Sequence, residues 1–236
     1  MQTDSCSYNC NNCPNCRISV FSDLKSDDMN LLNDEKTIIK LNKGQILFQQ
    51  DTRPHGLYCI KKGKVKVFKT GSEGKEQIVR LANDADVVGY RSLLANDNYQ
   101  CGATAIEETT LCFVPKETLN KLLQENISLY KKMITLLTED LKEAETKISD
   151  LAQKPVRERV AETLLILKDK YGFEADGQTL NVVLSREEIA NLVGTATESL
   201  IRILSDFKKE GLIELQNKKI KLLNTSKIFS TAHLYD

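Results

Sequence analysis

The stretch from Ser185 to Ile213 constrains the fold most, because two helix starts, a glycine turn and a glycine stop fall within it. Ser185 and Glu188 have the spacing of a capping box, in which hydroxyl and carboxylate satisfy each other's open amides. Ile189, Leu192 and Val193 give the following helix an apolar face. Gly194 supplies a sharp turn that a side chain would obstruct. Thr195 and Glu198 repeat the capping-box spacing and open a second helix, whose Leu200, Ile201, Leu204 and Phe207 recur at helical intervals. Gly211 stops it. The pattern predicts a helix-turn-helix. Thr197, Glu198 and Arg202 are left outward near the start of the second helix, Glu198 and Arg202 four apart on one face. A carboxylate can accept from cytosine N4 and an Arg can grip guanine O6 and N7, so the face suits DNA. The same spacing also suits an ordinary surface ion pair. Candidate DNA-binding residues are therefore Ser185, Thr195, Thr197, Glu198, Arg202, Lys208 and Lys209.

Over 236 residues the chain can hold one large domain or two modest ones. Apolar runs are only a few residues long and the N-terminus is rich in Cys and Asn. Neither a membrane span nor a signal peptide is expected, and a cytoplasmic location follows. With 33 basic and 33 acidic residues the net charge is zero. DNA affinity must then come from local placement, at Lys208, Lys209, Lys218, Lys219 and Lys221, and should depend strongly on salt. No phosphate-cradling glycine loop, H-E-x-x-H or G-x-S-x-G occurs and there are only two His, so no enzyme is expected.

Residues 17 to about 115 carry short alternating segments: Gln45 to Phe48, Gly56 to Ile60, Lys64 to Lys69, Gln77 to Leu81 and Thr109 to Val114. Gly44, Gly63, Gly71, Gly74 and Gly89 punctuate them, which suggests a β-roll or barrel with a closed interior. From Lys116 the period turns helical. Ile127, Tyr130, Ile134, Leu137, Leu141, Ala144, Ile148 and Leu151 step by three and four, as an a/d seam does. A helix packed on its own domain would show a wider stripe, so a parallel dimer helix is expected, with Ile134, Leu137, Leu141, Ala144 and Ile148 at its interface. Gln153-Lys154-Pro155 marks a hinge before a helix from Val156 to Lys170, and Lys218 to Leu223 reads as a hairpin wing. The expected class is α+β. Its parts are a Cys-rich segment (1–16), an effector β-roll or jelly roll (17–125), a dimerisation helix and hinge (126–154), and a winged helix-turn-helix (155–236).

This architecture resembles the CRP/FNR family of bacterial transcription regulators, over nearly the whole chain. KGQILFQQD, LYCIKKGKVKVF, EQIVRLANDADVVGY and LCFVPKETL are similar to that family's cyclic-nucleotide-binding-like roll, and Gly194, Glu198 and Arg202 fit its G-x-x-x-E-x-x-x-R recognition element. The resemblance implies a homodimer on a palindromic promoter site in double-stranded DNA, RNA polymerase as a partner, and Glu198 and Arg202 reading a G·C pair. Ile201 and Thr197 depart from the family's two main branches, which leaves the half-site sequence open. In cyclic-nucleotide-binding members a Gly-Glu and a later Arg-Ser hold the phosphate. Here Gly89 is kept, but Tyr90 replaces the Glu and Tyr99-Gln100 replaces Arg-Ser, so cAMP is not expected. Arg91 either reaches that pocket from another angle or lies on the surface. The candidate effector residues are Gly89, Tyr90, Arg91 and Tyr99.

Seven cysteines are present, four of them in C-x3-C-x2-C-x2-C at Cys6, Cys10, Cys13 and Cys16. Without a secretory signal, metal or redox chemistry is favoured over disulfides. Such thiolates suit zinc or an iron–sulfur cluster; a metal-free tail, with Cys112 a buried small hydrophobe, is the third reading. The FNR branch carries a [4Fe–4S] cluster on N-terminal cysteines plus one at the end of the roll. That resemblance implies Cys10, Cys13, Cys16 and Cys112 as ligands, with Cys6 an alternative, although the Cys13 to Cys16 gap is shorter than in that branch. Cys59 and Cys101 read as core, and His55 and His233 form no ligand pattern. Two other functions stand beside the oxygen- or redox-responsive regulator. One is the same regulator answering to a small molecule or nucleotide in the roll; the other is a redox or metal-handling protein without DNA binding.

Overall fold

A computed structural model describes residues 9–233 of the chain. After two short 3-10 turns (Cys10–Asn12 and Cys16–Ile18) come α1 (Ser26–Glu35), β1 (Thr37–Leu41), β2 (Ile46–Phe48), β3 (Gly56–Lys62), β4 (Val65–Thr70), β5 (Glu76–Ala82), β6 (Val87–Val88) and α2 (Tyr90–Ala95). They are followed by β7 (Gly102–Ala105), β8 (Thr109–Pro115), α3 (Lys116–Glu125) and the long α4 (Ile127–Gln153). The chain ends in α5 (Val156–Tyr171), α6 (Arg186–Val193), α7 (Thr197–Lys209), β9 (Ile213–Gln216), β10 (Lys219–Leu222) and α8 (Thr225–Thr231). Two units form: Val79–Glu143 with the residues up to Lys75, and Ala144–Asp236 with Glu76–Ile78.

The first unit is a β-roll of two four-stranded sheets, ordered β1-β8-β3-β6 and β2-β7-β4-β5. Side chains of a strand alternate between its faces, and the register of β3 on β8 assigns those faces. Tyr58, Ile60, Leu111 and Phe113 turn inward, joining Phe48, Val65, Val67, Val88 and Tyr99 in the roll's interior. Their neighbours Leu57, Cys59 and Val114 turn outward, onto a second core built with Phe21, Met29, Leu32, Leu119, Leu122, Leu129 and Met133. Cys59 and Cys112 are direct partners across β3 and β8. Truncating a Leu in either core should cost about 2–5 kcal/mol.

In the second unit α5, α6 and α7 pack around Val160, Leu164, Ile189, Val193, Leu200, Leu204 and Phe207. The Ser185–Glu188 capping box is formed in both directions, at 3.0 and 2.8 Å. Gly194, at φ 75°, caps α6 in the left-handed region that a side chain disfavours. Two expectations need correction. Thr195 opens no capping box: its amide and that of Gly194 both bond to the Ala190 carbonyl, so Thr195 stays in the turn. Ala196 becomes the N-cap of α7, without a side-chain cap. Nor is Ile201 on the inner stripe. It is 50% exposed, and Ile203 takes its place beside Leu200, Leu204 and Phe207. The wing is the β9–β10 hairpin, turning at Asn217 and Lys218.

Candidate functional site

The thiols gather on the outer face of the β1-β8-β3-β6 sheet. The Cys13 amide bonds to the Cys10 carbonyl and the Cys16 amide to the Cys13 carbonyl, each at 3.1 Å, so the x2 spacings become two successive tight turns. Asn15 Nδ2 donates to the Lys61 carbonyl at 2.6 Å, tying these turns to β3. Cys10, Cys13 and Cys16 thereby line one cavity of about 40 Å³ with Cys59, Cys112, Lys36, Phe21, Leu32 and Val114. Cys59, packed on the outer core in line with its core reading, is also a fifth thiol of this wall. Alternation along β3 sets its face relative to Tyr58 and Ile60, but only the register on β8 puts it opposite Cys112. Cys6 lies outside the described residues. Cys101 packs against the roll's interior.

Within the cavity the thiols are not equivalent. Cys10 is pulled down to about 6, by a hydrogen bond from Cys16 and by Lys36, against the opposing effect of burial. Lys36 Nζ donates to Cys10 Sγ at 2.9 Å. The same bond to Cys10, together with burial, pushes Cys16 up. Burial and the nearby Cys112 push Cys59 up as well. Among the described residues no three His, Cys, Asp or Glu side chains converge on one metal-holding point. The donor chemistry nevertheless fits a thiolate-bound metal centre: several soft sulfur donors share one largely apolar cavity.

Gly89 adjoins the Tyr99 ring, but Tyr90 and Arg91 turn to Asp140, so the four effector candidates do not line one pocket, which corrects that expectation. Gly89 is the N-cap of α2, and the first residue it launches, Tyr90, is buried facing α4. There the Tyr90 hydroxyl donates to the Asp140 carboxylate and accepts from Arg80 Nη1 at 3.2 Å. Arg80 and Arg91 approach the same carboxylate at 3.8 and 4.0 Å. Tyr99 instead turns into the roll, stacked on Phe48 with ring centroids 4.0 Å apart; Tyr58 adjoins Phe48 at 5.9 Å and Phe113 at 5.1 Å. These rings occupy the interior of the roll, where a ligand of the resembled family would need space.

On α7 the amphipathic pattern leaves Glu198, Ile201 and Arg202 exposed, three and four residues apart. Among the described residues neither Glu198 nor Arg202 is in an ion pair, so the alternative of a mutual surface pair is not realised. Thr195 and Thr197 are half-buried, and the Ser185 hydroxyl is engaged in its capping box. Arg157 clamps the far end of α7, with a two-pronged contact to Glu210 at 2.7 and 2.8 Å and its guanidinium 4.6 Å from the Phe207 ring. Lys208, Lys209 and Lys218 are exposed, Lys209 lying 3.6 Å from Asp206. Lys219 and Lys221 face Glu174 and Asp176 at 2.7 and 3.6 Å, which reduces what they can offer a phosphate. Arg186, which sequence reasoning passed over, bonds the wing-tip carbonyl of Asn217 at 3.0 Å.

On α4 only Leu129 and Met133 are buried. Leu137 packs partly on the outer core of the roll. The remaining seam is open: Ile134 and Leu141 are exposed, Ile148 is 68% exposed, and Ala144 lies between them.

Comparisons with known proteins accord with this geometry. Residues 38–126 match the model of the cyclic nucleotide-binding domain and residues 158–228 that of the Crp-like helix-turn-helix domain. The chain is 30% identical to an anaerobic regulatory protein of Bacillus subtilis over 197 residues, covering 82% of this chain and 83% of that one. It is 27% identical to the transcriptional activator protein Anr of Pseudomonas aeruginosa over 230 residues, 94% and 92% of the two chains. Among solved structures, FixK2 of Bradyrhizobium japonicum superposes with a TM-score of 0.76 at 23% identity, covering 85% of this chain and 99% of that one. No described helix is long and apolar enough to cross a membrane.

Proposed function

We propose, from the premise that this chain belongs to the CRP/FNR family of transcription regulators and carries that family's DNA-binding helix-turn-helix, that it works in the cytoplasm as a homodimer switched by its thiol cavity. The observation that carries the reading is the outward face of α7, with Glu198 and Arg202 exposed and uncommitted beside a buried stripe that fixes the helix. Inserted in a major groove, Arg202 can take guanine O6 and N7 while Glu198 accepts from cytosine N4. Thr195 and Thr197 lie near that end of the helix and Lys208, Lys209 and Lys218 are the cations left for phosphates; Ser185 contributes by setting α6.

The α4 seam, with Ile134, Leu141, Ala144 and Ile148 open and Leu137 half-buried beside them, is the surface on which a second copy would pack, giving two recognition helices and a two-fold symmetric promoter site. Family membership suggests RNA polymerase as the further partner. Cys10, Cys13, Cys16 and Cys112 are the residues that would hold a [4Fe–4S] cluster, Cys59 lying beside Cys112. Such a group would supply a redox-active, oxygen-labile centre. The protein's own part is to join the N-terminal turns to β8, which leads through Pro115 directly into α3 and α4. Tyr90 and Arg80, on Asp140, fix α4 to the roll at a second point. A small-molecule effector inside the roll is disfavoured by the Phe48–Tyr99 stack. Selection from random duplexes with anaerobically purified protein tests the reading: a symmetric site with a G·C pair in each half is expected, and enrichment without symmetry or base preference would defeat it.

A further inference from the structure

One side chain on the outward face of α7 is apolar. Every other large apolar side chain of α6 and α7 is buried or half-buried, whereas Ile201 is 50% exposed. It stands three residues after Glu198 and directly before Arg202, both of them exposed. By helical geometry it projects about 60° round the axis from Glu198 and about 100° from Arg202. Thr197 and Ser199 are half-buried. The exposed side chains in the first two turns of α7 are therefore one carboxylate, one guanidinium and one branched hydrocarbon.

Ile201 gives the fold little. Half of its surface stays in water, and a β-branched side chain loses rotamer freedom in a helix. What it offers a DNA groove is specific. It neither donates nor accepts a hydrogen bond, so against the polar edge of a G·C pair it would displace water and replace none of the lost bonds. The major groove presents one apolar group, the C5 methyl of thymine. Ile201 stands about 4.5 Å along the helix from Glu198, and stacked bases are about 3.4 Å apart. With α7 in the groove, Ile201 therefore meets a pair next to the one that Glu198 and Arg202 can hold. Its single preferred χ1 rotamer fixes where its methyl groups point.

We propose that Ile201 is a specificity-determining residue that packs on the C5 methyl of a thymine next to the G·C pair read by Glu198 and Arg202. Each half-site is then a G·C pair flanked by a T·A pair. The proposal rests on the recognition-helix reading of Glu198 and Arg202. The contact is uncharged and short in range, so it selects sequence without adding to the salt dependence that phosphate contacts carry.

The test uses the full chain and the duplex obtained by selection, remade with deoxyuridine for each thymine of the half-site in turn. That change removes the methyl and keeps the base pair. Competition binding at fixed salt compares wild type, Ile201→Ala and Ile201→Val, with circular dichroism checking that both variants keep their helix content. At a thymine next to the G·C pair, uracil should weaken wild type several-fold. Ile201→Ala should bind the thymine duplex several-fold more weakly and no longer distinguish it from the uracil duplex, while Ile201→Val keeps most of the difference. Uracil also alters the duplex itself slightly, so the loss of discrimination in Ile201→Ala is the deciding readout. Three results would overturn the methyl contact and leave Glu198 and Arg202 as readers: a selected half-site with no thymine beside its G·C pair, a wild type indifferent to uracil at every position, or an Ile201→Ala that keeps the full uracil penalty. A selection that yields neither symmetry nor base preference would overturn both readings.

Discussion

The two units place their chemistry in opposite ways. In the second, Glu198 and Arg202 face solvent from one helix, set by a turn and a cap within the preceding 17 or so residues. In the first, Cys10, Cys13 and Cys16 meet Cys59 and Cys112 across long sequence separations and turn inward beside a buried Lys36. An outward face built locally is tuned residue by residue, because each side chain makes its own contact. An inward site built from distant strands would work as a set, because the thiols proposed as ligands share one cavity. Substitutions should therefore have graded effects in one unit and all-or-none effects in the other.

The sharpest way to break that contrast is Cys112→Ser. It should abolish bound iron in anaerobic protein, read by iron and sulfide assay, whereas Cys59→Ala should retain most of it. Equal retention in both variants would show that the cavity does not act through the expected four. Next in size is Leu141→Glu, which would place a carboxylate in the seam. It should weaken dimer association by about 3–5 kcal/mol, the cost of an unpaired buried charge, and give a monomer in sedimentation while the roll keeps its circular dichroism. A smaller effect is expected on α7. Arg202→Ala should lose about 1–3 kcal/mol on the selected site and relax preference at one base pair, while Lys208→Ala weakens all sequences alike. Competition binding at fixed salt distinguishes them, and a uniform loss for Arg202→Ala would remove it from base reading.

The same contrast explains what was legible in the sequence. The helix-turn-helix is local, so Ser185, Glu188 and Gly194 announce it by spacing alone. Its fine structure is not local: Ile201 and Ile203 both fit a helical stripe, and only packing beneath α7 decides that Ile203 goes in. Thr195 has the right spacing for a cap, but the Ala190 carbonyl claims its amide first. The N-terminal cysteines stand out as a group, while Cys112 joined them through family resemblance. Cys59 was hidden because its face depends on the register of β3 against β8, a pairing of residues more than fifty apart. Lys36 was hidden too, since nothing in a sequence marks which lysine will be buried. Tyr90 and Tyr99 were read as two sides of one pocket, yet α2 sends one toward Asp140 and the other into the roll.

The rings of Phe48, Tyr58, Tyr99 and Phe113 have one more consequence. A barrel that folds around an effector gains stability by mass action and so registers how much effector is present. This one is filled by its own side chains, and its melting temperature should be the same with and without cyclic nucleotide in a thermal scan; an upward shift would show that the stack yields to a ligand. On the proposed reading the signal is instead a chemical event at the cavity's sulfur atoms, and the answer comes as a count of altered molecules.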